Sequence, residues 1–423
     1  PTLPGKPTQM SPVPAADPNA WGGRYTSHLD YVTGWYVKAV NYFGSLNARW
    51  AFVSTNSICQ GEPVADLWPT ILDAGWRCRF AHRSFRWETE APEGAAVHVS
   101  IVGFDRLKNP EPVLWTYPEG GVGEGTELLV PNINPYLRPG PNVLVRKRPK
   151  PLSQLPAIMF GNMPRDGGCL IVEPDQYNLV RADPIARKFL RKYVGGMEML
   201  YDKPRWCLWL SESTPDEREA SPILKERIEC TRKSRLASPA KETQAMASTA
   251  HLFAQRTQEP GNFLAIPHVT SEHRKYFTVR EYPDGVISSN LIYTAPDPDC
   301  FAMGVLSSSM FITWMRTIGG RLEARLRFSK EFTYNTFPLP PLKESERREI
   351  GNAARHLAAA RALFPDLCLA DLYSPGAMPE EVSDAHDRID AIIDRCFECS
   401  DPTDVQREEI LFAKYQSLVA KAV

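Results

Sequence analysis

Residues 50–81 read WAFVSTNSICQGEPVADLWPTILDAGWRCRFA. Trp50 to Ser54 is a short apolar run with a β-branched residue and reads as a buried strand. Val64 to Ala74 gathers Leu67, Trp68, Ile71 and Leu72 on one side, the spacing of an amphipathic helix. Arg77 to Ala81 returns as a short strand. Further on, Ala96 to Phe104 (AVHVSIVGF) is nearly continuous in apolar residues, as a strand covered on both faces must be. Upstream, Leu29, Val32, Tyr36, Ala39, Val40 and Phe43 recur at three- and four-residue steps and predict a helix. Helix, strand, helix, strand, strand is the end of an α/β sheet with covered faces.

Residues 1–28 are rich in proline, from Pro1 to Pro18, and read as an extended loop. Residues 105–156 are rich in proline and glycine. Within them Arg138 to Pro151 (RPGPNVLVRKRPKP) mixes basic residues with prolines, as a linker or a groove-lining loop does, and marks a domain boundary. Short strands follow at 157–160, 169–172 and 206–210, with helices at 184–193 and 222–237. Strands are expected near 262–266, 276–280 and 290–294, and a long apolar helix over 301–318. This is a mixed α+β region. After Asn335-Thr336-Phe337-Pro338 the pattern is helical, over about 343–363, 379–396 and 403–421.

At 423 residues the chain exceeds one compact core, and two or three domains are expected. No run of 18 or more apolar residues occurs, so no membrane span is predicted. No secretion leader opens the chain, and the cytoplasm is the expected compartment. Nine cysteines are scattered, with Cys396 and Cys399 the close pair, so neither a zinc site nor a disulfide framework is expected. The first residue is Pro1 rather than Met, as in a fragment or a processed product. Net charge is −1, but residues 1–137 carry −3, residues 138–330 carry +9 and residues 331–423 carry −7. A basic middle between acidic flanks suits a polyanion-binding module. Charge alone favours the plainer account, a solvated surface with chance asymmetry.

Five blocks carry candidate chemistry. In FVSTNSICQGE (Phe52 to Glu62) a buried strand delivers hydroxyls and an amide to its carboxyl end, where open α/β sheets bind ligands. Capping of the next helix is the plainer account. In FAHRSFRWETE (Phe80 to Glu90), Phe85 and Trp87 sit in a charged loop with His82, Arg83 and Arg86, a set suited to stacking a base and holding its phosphate. They serve equally as cover for a sheet edge. FGNMPRDGGC (Phe160 to Cys169) is a tight turn without the spacing of a phosphate loop. In SEHRKYFTVREYPD (Ser271 to Asp284), Arg274, Lys275 and Arg280 stand beside the acceptors Glu272 and Glu281, the residue types that read guanine and cytosine. On an extended strand Glu272 and Arg274 share a side. RTIGGRLEARLRFSK (Arg316 to Lys330) offers Arg316, Arg321, Arg325 and Arg327 for phosphate contacts. A salt-bridged surface accounts for both last blocks as well.

These blocks in this order resemble the MmeI-like family of adenine-specific DNA methyltransferases, the type IIL restriction–modification proteins. LDYVTGWYVKA (Leu29 to Ala39), RWCLWL (Arg205 to Leu210), YNTFPLP (Tyr334 to Pro340) and LADLYSPGAMP (Leu369 to Pro379) add to the likeness, which covers almost the whole chain from Leu29. It implies three parts: residues 1–107 as the second half of a Rossmann-like methyltransferase domain, 108–342 as an α+β target recognition domain, and 343–423 as a helical C-terminal domain.

The resemblance also implies double-stranded DNA as partner and S-adenosyl-L-methionine as methyl donor. The family's Phe-x-Gly-x-Gly turn and Asn-Pro-Pro-Phe motif are not found. Pro1, before Gly5 and Lys6, reads as a remnant of the second. The cofactor site is therefore expected upstream, and this chain alone is expected to be inactive. A missing N-terminal methyltransferase segment or a separate partner chain would complete it. By the same resemblance Phe85 stacks the flipped adenine, with Trp87 as the alternative. A second class of function stays open: a non-catalytic DNA-specificity protein.

Overall fold

A computed structural model describes residues 29–87, 97–118, 121–322 and 324–421. The expected first helix forms as α1 (Tyr31–Phe43), whose buried side carries Tyr36, Val37 and Val40. Tyr36 reaches through the core to place its hydroxyl 2.9 Å from Ser54 Oγ. Its ring meets Trp50, Phe52 and Phe104 edge-on, a geometry favoured by the ring quadrupoles. Strand β1 (Trp50–Thr55) leads through a 3-10 turn (Asn56–Cys59) into α2 (Pro63–Asp73). Pro63 opens α2 where a missing N–H costs nothing, and Trp68 on its buried side donates its indole N–H to Ile58 O at 2.7 Å.

Strand β2 (Arg77–Trp87) and strand β3 (Val97–Asp105) form an antiparallel hairpin with β1 on the far side of β3. β4 (Val113–Thr116) and β5 (Thr126–Leu129) complete a five-stranded sheet of order β1-β3-β2-β4-β5. Two expectations are corrected. β2 does not stop at Ala81 but runs on to Trp87, so Phe85 and Trp87 lie on a strand, paired with Val99 and Val97, rather than on a loop. Cross-strand pairing takes in the polar half of FAHRSFRW, whose alternation the run of charges conceals. The sheet also continues past residue 107, because β4 pairs in parallel with β2 and β5 closes on β4.

The basic middle holds a four-stranded sheet in the order Arg280–Tyr282, Phe263–Pro267, Ile292–Ala295, Met159–Phe160. A second lobe is built on Ile287–Ser288, Leu190–Val194, Trp206–Leu208 and Ile171–Val172, in that order, with the helix Pro222–Leu236. The helix expected over 184–193 is instead a 3-10 turn (Ala186–Phe189) entering the strand Leu190–Val194. The strand expected at 276–280 is irregular until Arg280. The apolar helix over 301–318 breaks at Ser308, whose hydroxyl caps the second piece (Ser309–Ile318) by accepting from Phe311 N.

The cysteines are also corrected. Cys169 and Cys230, 61 residues apart, form a disulfide that ties the FGNMPRDGGC turn to the helix Pro222–Leu236. Sequence spacing of that size carries no pairing signal. Helices Glu344–Ala362, Glu380–Cys396 and Asp404–Lys421 close the chain. One apolar core runs from Leu29 to Tyr415 through all three parts, and a smaller cluster around Leu170, Val172 and Phe253 fills the second lobe. Among the described residues no helix is long and apolar enough to cross a membrane.

Candidate nucleic-acid interface

Two adjoining cavities of about 960 and 1000 Å³ share Asn56, His98, Arg321 and Ala324. Together they make one cleft between the carboxyl end of β1, the β2–β3 hairpin and a short hairpin of the basic middle, Arg321–Leu322 with Arg325–Arg327. The polar run after β1 is largely committed to its own structure. Thr55 Oγ1 lies 3.0 Å from Ser57 Oγ, and Asn56 Nδ2 donates to Ser84 Oγ at 3.0 Å, which ties the end of β1 to β2. Gly61, at φ +70, gives its N–H to Ile318 O at 2.9 Å. A Cβ there would stand 3.5 Å from Gly320 Cα, so the two backbones meet at the seam between the parts.

β2 carries an aromatic cluster beside the cleft: Phe85 and Trp87 line neither cavity, and Tyr117, packed on Phe85, lines one. His82 stacks on Trp115 at 4.5 Å, and its Nδ1 lies 2.7 Å from the Tyr117 hydroxyl. Burial holds the His82 imidazole below its ordinary pKa and so favours the neutral ring. Phe85 is half-buried with one face against Tyr117, centroids 4.9 Å apart. Trp87 is 44% exposed, with its ring 6.1 Å from Phe85. The loop after Tyr117 returns at Gly121, whose O accepts from Arg86 N at 3.0 Å.

Gly121 has φ +73, and a Cβ on it would lie 2.8 Å from Arg86 N and Phe85 Cα. Gly121→Ala is expected to displace β2 at Phe85 and Arg86 and lower stability by about 1–3 kcal/mol. Chemical denaturation measures the loss, and near-ultraviolet dichroism reports the Phe85–Tyr117 stack. An unchanged midpoint would show that the loop yields freely.

The residues singled out in the middle domain do not stay together. Glu272, Arg316 and Arg321 line the cleft, and Arg327 lines its outer part. Arg321 Nη1 donates to Ala324 O at 3.0 Å, bracing its hairpin. Arg325 is exposed on the same hairpin. Glu272 sits in a turn closed by Arg274 N to Ser271 O, so the shared-face geometry expected for Glu272 and Arg274 does not hold. Arg274 points inward at 7% exposure, with Nη1 donating to Thr278 Oγ1. Arg316 Nη2 donates to Arg274 O at 2.8 Å and fastens the turn. Lys275 and Arg280 face the carboxylates of Asp387 and Asp202 and line neither cavity.

The expected linker is a seam. Arg138 pairs with Glu408 at 2.7 Å, Arg146 with Asp66 at 3.7 Å and Lys147 with Glu62 at 3.0 Å. Sequence reasoning missed His98, Asp404 and Glu408 as cleft residues, whereas Arg138 belongs to the stretch read as a linker or a groove-lining loop. The missed residues come from two distant segments, the strand β3 and the last helix, and no local pattern connects them.

Residues 14–116 match the DNA-methyltransferase domain of MmeI, residues 139–341 its target recognition domain and residues 342–423 its C-terminal domain. DNA methyltransferase A of Bacillus subtilis (strain 168) is 35% identical over 395 residues, which is 93% of this chain and 44% of that protein. The solved structure of the Type IIL restriction-modification enzyme MmeI in complex with DNA is similar at a TM-score of 0.88 and 39% identity, over 95% of this chain and 54% of that one. The chain thus spans about half the length of these relatives.

Proposed function

We propose, for a chain that belongs to the MmeI family of DNA methyltransferases, that it supplies target recognition and the base-holding wall of a site-specific DNA adenine-N6 methyltransferase in a restriction–modification or related defence system. The observation that carries the reading is the cleft. Its walls set Arg83, Arg86 and Tyr117, which packs on Phe85, against a hairpin bearing Arg321, Arg325 and Arg327. A duplex lying in it presents phosphates to the arginines. A base rotated out of the stack meets the free side of Phe85 or the exposed ring of Trp87. Glu272 is the acceptor placed to read a base edge, and Arg316 shapes its turn.

S-adenosyl-L-methionine is the methyl donor that this function requires. The described residues do not fit it: the glycine that follows β1 spends its amide on Ile318 O, and its Cα side packs on Gly320. Its site is assigned to sequence upstream of this chain. That same misfit favours a second reading, a DNA-specificity subunit completed by a separate cofactor-binding chain. Calorimetry with S-adenosyl-L-methionine is expected to show no binding to this chain, and micromolar binding would overturn the assignment.

Fluorescence anisotropy with a duplex of mixed sequence tests the DNA reading. Affinity is expected to fall about 40- to 500-fold between 50 and 200 mM salt if some three to five phosphates are neutralised. Affinity that is flat with salt, or absent at low salt, would exclude it.

A further inference from the structure

The pairing of β2 with β3 slips between His82 and Phe85, so β2 carries extra backbone at Arg83 and Ser84. Such bulges turn a side chain out of the pleat and often stand beside functional sites. Here the bulge is pinned, because Ser84 Oγ accepts from Asn56 Nδ2 at the end of β1. Arg83 lines the cleft beside Arg138, Arg316 and Arg321. Among the described residues its guanidinium makes no hydrogen bond or ion pair, whereas its neighbours are engaged. The nearby carboxylate of Glu408 is held by Arg138 at 2.7 Å.

Burial, reinforced by the positive charge of Arg138 and only partly offset by Glu408, brings the Arg83 pKa down to about 9. A half-buried cation with like charges around it and no partner costs free energy that an incoming anion recovers. The anion that DNA brings is a phosphodiester, and a guanidinium holds two of its oxygens at once.

We infer that Arg83 is a positioning residue that grips the backbone phosphate of the extruded nucleotide, on the same strand that presents Phe85 to its base. This rests on the DNA reading above. Arg83 and Phe85 stand two residues apart across the bulge, within about 6–7 Å along the strand, with Arg83 in the cleft and Phe85 packed on Tyr117 at its edge. A nucleotide whose base enters the hairpin therefore brings its phosphate within reach of Arg83. A phosphate in an undistorted duplex meets the exposed Arg325 and Arg327 instead.

The test uses the full 423-residue chain and two fluorescent duplexes of mixed sequence. One is intact, and the other holds a single abasic site, a nucleotide that rotates out without unstacking a base. The wild type is expected to prefer the abasic duplex by about tenfold. Arg83→Gln should abolish that preference and reduce the salt slope by about one, while Arg83→Lys should keep the slope. A second arm leaves the protein intact: a neutral methylphosphonate beside the abasic site should lower wild-type affinity about tenfold. An Arg83→Gln protein that retains the preference and the slope overturns the inference, and so does a methylphosphonate without effect. A wild type that binds neither duplex overturns the DNA reading itself.

Discussion

Replacing Phe85 by alanine is expected to lower methylation turnover of the complete enzyme by about 10- to 100-fold, with intact-duplex affinity changed by less than about threefold. The magnitude follows from stacking, since one base on one aromatic ring is worth about 1–3 kcal/mol. The interaction exists only after the base leaves the duplex, so its loss falls on the reactive complex rather than on the encounter. Phe85 is suited to this because Tyr117 supports one face and β3 fixes its backbone through the pairing with Val99. Phe85→Tyr keeps the ring and should retain most of the turnover. Fluorescence of 2-aminopurine at the target position separates flipping from chemistry. Normal turnover in Phe85→Ala together with a large loss in Trp87→Ala would transfer the role to the more exposed ring.

The sequence held the α1, β1 and α2 elements, and the three C-terminal helices, because each carries its own apolar periodicity over a turn or more. The extension of β2 was illegible because its pairing partners lie across a hairpin whose far strand starts at Val97. The cleft was half legible. FAHRSFRW and RTIGGRLEARLRFSK mark two of its walls, yet nothing local says that Arg321 stands near Arg83 or that Glu408 stands near Arg138.

The +9 charge of the middle region was real but over-read as a DNA footprint. Arg227 donates to Cys169 O and Ile171 O, and Arg146 and Lys147 face carboxylates of the first domain. Arg274 is buried. An arginine drawn inward to satisfy carbonyls counts in the net charge and contributes nothing at a phosphate.

Arg235 is the extreme case, and its replacement by methionine is expected to cost about 3–5 kcal/mol, the scale for removing one partner of a buried charged network. Its side chain is 1% exposed, on the last turn of the helix Pro222–Leu236. Its guanidinium donates to five carbonyls: Arg165 O, Pro164 O, Met246 O, Thr249 O and Leu252 O, at 2.6 to 3.0 Å. Methionine fills much of the volume but leaves all five acceptors dry, and a buried acceptor without a donor costs about 1–3 kcal/mol. Lysine does not repair this, since an ammonium has three donors and no planar fork. The carbonyls belong to the FGNMPRDGGC turn and to the segment 246–252, so the second lobe should loosen before the rest. Hydrogen exchange is the direct check: amides of 164–172 and 222–252 should lose protection in Arg235→Met while those of β1 and β3 keep theirs. Urea unfolding should show the lower midpoint. A variant with wild-type protection in that lobe would mean that water reaches the five carbonyls, and that the buried arginine is not what holds the lobe together.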